Sequence, residues 1–195
     1  MDLTQGTERE RIERSKKMML WFAMISFSMA FLALISSYVI SAKRPDWLQD
    51  FELPQAFLLS TIAILISSVT FYLATKAIRA EQRSMGMIWL LITLVLGLVF
   101  CYLQFEGFEQ LRDSTGYYPA GDGSNVTTSM IYAIVFLHIA HLAAAIICLL
   151  VVIYNHYKQR YNAAQTLGIE LAETFWHFLD FLWIALFLFF YFYRP

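Results

Sequence analysis

Five long apolar runs, at residues 18–41, 53–74, 87–105, 130–154 and 171–193, constrain this chain more than any other feature. A bilayer's hydrocarbon core is about 30 Å thick and takes roughly 20 apolar residues of helix to cross. Each run has that length, and the segments between them carry the charges. Backbone polar groups must be satisfied internally in lipid, so only helices and closed barrels span it. The runs are too long for barrel strands. The pattern therefore predicts an all-α fold: a polytopic membrane protein built as a five-transmembrane-helix bundle. The domain organisation follows as a basic tail over residues 1–17 and a membrane domain over 18–195.

Composition agrees. Of 195 residues, 59% are hydrophobic and 15% charged, where soluble domains carry about a quarter. The net charge of −1 and the lack of a basic patch away from the membrane flanks exclude nucleic acid as an expected partner. The first apolar run exceeds the roughly 7–15 residues of a signal peptide's core and reads as a retained anchor. Cys101 and Cys148 fall in apolar runs near opposite membrane faces, too far apart to bridge, and are expected to be buried free thiols.

Orientation follows from basic residues near the membrane ends. Ten lie on one side: Arg9, Arg11, Arg14, Lys16 and Lys17 in the tail, Lys76, Arg79 and Arg83 in the second connection, Lys158 and Arg160 in the fourth. Four lie on the other: Lys43, Arg44, Arg112 and Arg194. The N-terminus is expected inside and the C-terminus outside, as for a multi-pass membrane protein. Pro45, Pro54, Pro119 and Pro195 all fall outside helix interiors, so no proline kinks are expected. The longest connection, 106–129, is acidic and carries Gly116, Gly121 and Gly123; it reads as an external loop. Aromatic residues 189–193 form an expected outer-interface belt, with Trp21 and Trp89 as inner anchors.

Ionisable residues inside a span are costly and mark functional sites. The fourth span carries His138 and His141. The fifth carries Glu170, Glu173, His177 and Asp180, whose steps of three, four and three put them on one stripe, with Trp176 and Trp183 beside it. At about 1.5 Å per residue, His141 lies about 18 Å from the inner face and His177 about 9 Å, which disfavours a shared metal or haem. No ligand spacing typical of metal sites appears. Asp180 comes within about one turn of the depth of His141, so the two are expected to pair between helices. Ser26, Ser36, Ser37, Ser60, Ser67 and Ser68 can bond neighbouring helices, and Gly97 allows close packing. No nucleophile–base pair, phosphate loop or nucleotide motif is present, so no catalytic centre is expected here.

The same residues carry a family resemblance. Gly168-Ile169-Glu170 followed by Trp176-His177-Phe178-Leu179-Asp180 and Trp183 resembles the C-terminal signature of subunit III of haem–copper oxidases, G-[FI]-E and then W-H-F-V-D-x-x-W. Phe136 to Leu142, with both histidines, resembles the F-H-G-L-H-V of the preceding helix, with Ile139 in place of the glycine. Thr61, Leu65 and Ser67 to Thr70 resemble N-T-x-x-L-L-x-S-S-V-T, with Ser60 for the asparagine. Gly97, Leu103-Gln104 and Glu106 resemble G-x-x-F-x-x-L-Q-x-x-E, with the glutamate one residue early. The resemblance covers nearly the whole chain and matches the last five helices of the seven-helix form, as in short bacterial versions. The glutamate usual in the first of these helices is absent around Ser26–Ser28.

The resemblance implies a non-catalytic subunit of a cytochrome c or quinol oxidase, in aerobic electron transport, multi-pass in the inner (plasma) membrane of a bacterium. It implies haem and copper in partner subunits, a large catalytic subunit I and other oxidase subunits as partners, bound phospholipid, support of proton uptake, and a place in a respiratory supercomplex. His138, His141, Glu170, Glu173, Trp176, His177, Asp180 and Trp183 would then be lipid, interhelical or subunit contacts. Two other readings stand beside it. One is an accessory or assembly protein of a nitric oxide reductase with the same fold. The other is a haem-binding membrane anchor or small transporter, which needs matched histidines or broken helices.

Overall fold

The computed structural model describes residues 7–48, 53–118, 120–121, 123–161 and 166–193. Pro119, Arg194 and Pro195, and the side chain of Arg9, lie outside the described residues. Among those described are five helices: α1 Glu8–Ser41, α2 Gln55–Arg79, α3 Arg83–Thr115, α4 Val126–Tyr157 and α5 Leu167–Phe192. All five are long and apolar enough to cross a membrane. The protein is an all-α membrane bundle.

The helices overrun the apolar runs. α1 begins at Glu8, where Thr7 accepts from the Glu10 amide and the Glu10 carboxylate accepts in return from the Thr7 amide. This capping box starts a helix among Glu, Arg and Lys, all good helix formers. The boundary expected between residues 17 and 18 thus falls within continuous helix. α3 continues ten residues past Phe105 to Thr115 and stops where Gly116 adopts φ 71°, a left-handed conformation that glycine reaches without a Cβ clash. α4 starts at Val126 under an Asn125 cap (Asn125 Oδ1 to the Thr127 amide, 2.8 Å). The long loop expected at 106–129 therefore shrinks to the segment between Thr115 and Val126. Apolarity marks the bilayer, whereas caps mark the helix. Pro45 lies in a connection and Pro54 caps α2, so neither interrupts a helix.

α2 and α3 pack along most of their length; α3 on α4, α4 on α5 and α5 on α2 close a four-helix ring. Among the described residues, α1 lies outside the ring against α4 and α5. The side holding the start of α1 is here the N face and the opposite side the C face. On the C face the α1–α2 connection is stitched to the start of α4: the Leu48 amide donates to Thr127 Oγ1 at 3.0 Å, and Asn125 Nδ2 to the Asp46 carbonyl at 2.9 Å. Trp47 stands edge-on to Tyr38, centroids 4.8 Å apart. The aromatic C-terminus divides between two roles. Phe190 is buried against Tyr38, while Tyr191 and Phe192 face outward. Trp21 is exposed and Trp89 packs against the core. Cys101 is half-buried, but Cys148 is exposed on the outer side of α4, contrary to the expected burial.

The ring interior is aromatic. Trp183 sits edge-on to Phe57 and Phe100 (centroids 5.8 and 5.2 Å), and Trp176 edge-on to Phe71 (5.9 Å), geometries that suit the ring quadrupoles. Large apolar side chains such as Ile62, Val95, Ile147 and Phe181 point outward, as lipid solvent requires. Gly97 makes the Trp176 site possible: a Cβ there would stand 2.7 Å from Trp176 Cη2. The indole is also tethered through its nitrogen, so it cannot swing aside. Gly97→Ala should lower stability by about 1–3 kcal/mol through overpacking, read as a reduced thermal midpoint in detergent. Val95→Ala, on the outward face, should leave the midpoint unchanged.

Candidate functional site

α5 carries the polar stripe, and its face toward α2 decides what the stripe does. At the N face, Glu170 joins three helices: Lys17 of α1 donates to Oε2 at 3.2 Å and Arg79 of α2 to Oε1 at 3.1 Å. Thr166 donates to the same Oε1 at 2.7 Å. One turn deeper, Glu173 Oε1 lies 3.6 Å from His177 Nε2. His177 Nδ1 pairs with the Ser68 hydroxyl of α2 and stands 4.0 Å from Asp180 Oδ2. Asp180 is 4% exposed, has the Ser68 hydroxyl beside it, and neither of its oxygens completes a hydrogen bond among the described residues.

Next to the stripe, two indoles lock α5 to α2. Trp176 Nε1 donates to Ser67 Oγ at 3.1 Å and Trp183 Nε1 to Thr61 Oγ1 at 3.0 Å. Both hydroxyls in turn donate to carbonyls within α2, Ser67 to Ile64 at 2.8 Å and Thr61 to Phe57 at 2.7 Å. The same device joins α2 to α3. Gln104 Nε2 donates to Ser60 Oγ at 2.8 Å, and Thr70 and Thr93 share a 2.8 Å bond. Helical residues with hydroxyls that return a proton to the previous turn leave a lone pair facing the neighbour.

The α4 histidines take no part in these α2–α5 hydrogen bonds among the described residues. His138 is buried among Phe31, Phe100 and Trp183, with its centroid 5.3 Å from Trp183, and its Nδ1 makes no hydrogen bond. His141 is half-buried; its Nδ1 meets the Leu137 carbonyl at 2.7 Å and its ring packs on Phe27 of α1 at 4.2 Å. The expected His141–Asp180 pair does not form. Rise per residue gives depth alone, and the two side chains leave their helices in different directions, Asp180 toward α2 and His141 toward α1. Among the described residues, no three His, Cys, Asp or Glu side chains are grouped to hold a metal ion.

Several polar residues that hold the helices together carry little sequence signal. His156 is buried near the N face and its Nε2 lies 3.0 Å from the Arg83 carbonyl, tying the end of α4 to the start of α3. Thr93 looks like an ordinary residue of an apolar run, singled out by its hydrogen bonds, while Thr61 and Gln104 stand out in the sequence through the family resemblance and not through any periodicity.

Fold and site together define a polytopic helical membrane protein whose buried polar groups join helix to helix. The chain belongs to the cytochrome c oxidase subunit III family, which it matches over residues 4–194. It is similar to the proteins named "Probable quinol oxidase subunit 3" of Staphylococcus aureus (strain USA300) and Staphylococcus epidermidis, at 36% identity over 144 residues. The matched segment covers 70% of this chain and 66% of the length of each of those relatives.

Trp176→Phe and Trp183→Phe each keep most of the ring while deleting the N–H. Each should cost about 1 kcal/mol, measured by denaturation in detergent. If the hydroxyl partners matter as described, Trp176→Phe combined with Ser67→Ala should cost less than the sum of the single changes. The Glu170 pairs, with all three side chains partly in water, should contribute at most about 1 kcal/mol. That contribution should shrink as salt is raised, so that Glu170→Gln and the unchanged protein converge in thermal midpoint at high ionic strength.

Proposed function

We propose that this protein is a non-catalytic subunit III of a haem–copper terminal oxidase in a bacterial plasma membrane. The observation that carries the reading is the family match over residues 4–194, joined to the position of the family's Trp-His-Phe-x-Asp signature. That signature forms the α2–α5 seam, where its groups are engaged in holding helices together. Haem and copper belong to a large catalytic subunit, with which this chain associates. Its role is to support that subunit, including its proton uptake. Quinol is the proposed electron donor, as in the names of the staphylococcal relatives.

The distribution of basic residues supports a cytoplasmic N-terminus. The N face then lies inside, with Lys17, Arg79 and Glu170 at the inner interface. Phospholipid is the proposed occupant of a hollow of about 340 Å³ between α1, α4 and α5. Leu20, Val151 and Phe175 line it, and Asn155 and Tyr161 stand at its N-face end. Of the eight residues of the polar set, Trp176, Trp183, His138 and Asp180 are buried and serve as interhelical contacts. Glu170, Glu173, His177 and His141 reach a surface and can meet lipid or a partner.

The test is an optical spectrum with mass analysis of the tagged protein, purified in mild detergent from its native membrane. Haem and copper should arrive with a large partner and vanish once this chain is isolated. Haem or metal retained by the isolated chain would overturn the reading. Membrane-impermeant labelling of a cysteine placed at Glu8 should require opened cells, in keeping with an inside N-terminus.

A further inference from the structure

We propose that a slot between α3 and α4 at the C face binds the ring of a quinone or quinol. The inference rests on the quinol-oxidase reading above and gives that donor a binding place on this chain. The slot encloses about 480 Å³, within the range of small-ligand pockets. α3 and α4 run in opposite directions, and the residues lining the slot match in depth. Arg112 of α3 and Ser129 of α4 stand at its mouth. Phe105 and Phe136, each seven residues away along its helix, stand about 10 Å deeper. One end of the slot is thus polar and at the interface, and the other lies in hydrocarbon. Ala133, with its short side chain, leaves the space between the rings open.

The inner wall is aromatic and held from behind. Phe108 and Tyr132 pack on each other with centroids 4.9 Å apart. The Tyr132 hydroxyl donates to the Phe108 carbonyl at 2.9 Å, and the Phe108 ring stands edge-on to Phe57 of the core at 6.4 Å. The wall is therefore formed before any ligand arrives, and a flat conjugated ring stacks on such a surface. An acyl chain gains no such contact. The polar groups at the mouth suit both redox forms. Glu109 and Arg112 are one turn apart on α3 and are not paired with each other. Arg112 instead reaches Asp113 through two exposed 3.3 Å bonds, and Glu109 has no partner among the described residues. Arg112 and the Ser129 hydroxyl can donate to the carbonyl oxygens of a quinone, and Glu109 can accept from the hydroxyl of a quinol. The apolar tail then leaves past Phe105 and Phe136 into the bilayer. A phosphate headgroup fits this mouth poorly, because one guanidinium there is set against the carboxylates of Glu109 and Asp113.

The test is photolabelling of native membranes with an azido-substituted decylbenzoquinone, followed by purification of the tagged chain with its partners and peptide mapping. Label should fall on α3 from Phe105 to Arg112 and on α4 from Ser129 to Phe136, and unlabelled decylbenzoquinone should compete it away. Ala133→Trp fills the slot from an exposed position. It should lower that labelling about tenfold and leave the thermal midpoint of the isolated chain unchanged. Arg112→Leu should lower the labelling too, and Arg112→Lys should restore it. Label spread evenly over outward faces such as those of Val95 and Ile147, or unmoved by Ala133→Trp, would overturn the inference. Equal labelling of the slot by a photoreactive fatty acid, which has no ring, would do the same and make the slot a lipid site. These outcomes leave the oxidase reading standing, since it depends on a haem-bearing subunit purifying with the chain. Competed quinone label at the slot of a chain that purifies without that subunit would overturn the oxidase reading alone.

Discussion

A polar hydrogen left unpaired in hydrocarbon is costly enough to decide how helices sit against one another. In this protein that constraint acts through the two indoles of α5. Trp176 and Trp183 are both 1% exposed, and each places its N–H on a hydroxyl of α2. The two bonds lie about two turns apart along α5, so together they set its height and rotation against α2. The rest of the polar stripe then follows. With Trp176 and Trp183 toward α2 and the ring interior, Glu173, His177 and Asp180 come to the outer side of the same seam.

Apolar surface cannot drive helices together in lipid as it does in water, because acyl chains solvate it equally well. Close fit must do that work. Gly97 gives Trp176 its place, and Gly107 does the same for Phe57, whose ring a Cβ would overlap. Edge-to-face aromatic contacts fill the space so made. Hydroxyl and amide bonds between α2 and α3 add direction to the contact. The ring of α2 to α5 is thereby a packed unit, and α1 is attached to one side of it. Its links are the Phe27 and Phe31 contacts to α4, the Tyr38 cluster at the C face, and the Lys17–Glu170 pair at the N face.

This arrangement accounts for why a family signature rich in ionisable groups serves a subunit with no proposed chemistry of its own. Trp, His and Asp at steps of one and three along α5 place an indole inside, an imidazole on the seam and a carboxyl behind it. The indole holds the bundle, while the imidazole of His177 reaches the edge and the Asp180 carboxyl stays buried. Placing His138 beside Trp183 adds a further flat ring to the core.

The number, kind and approximate position of the helices were legible in the sequence, because length and apolarity alone determine what can cross a bilayer. The stripe at Glu170, Glu173, His177 and Asp180 was legible too, from helical periodicity, as was the room for close packing at Gly97. Helix ends were not: α1 and α3 run about ten residues past their apolar segments under the control of a capping box and a glycine stop. Partners were not either. Asp180 and His141 share a depth, but rotation about each helix axis, which only the packing of α5 on α2 sets, turns them apart. His156 on the Arg83 carbonyl and Thr61 under the Trp183 indole were likewise decided by tertiary structure. A sequence determines which residues share a face of one helix; which face meets which neighbour depends on all the helices together.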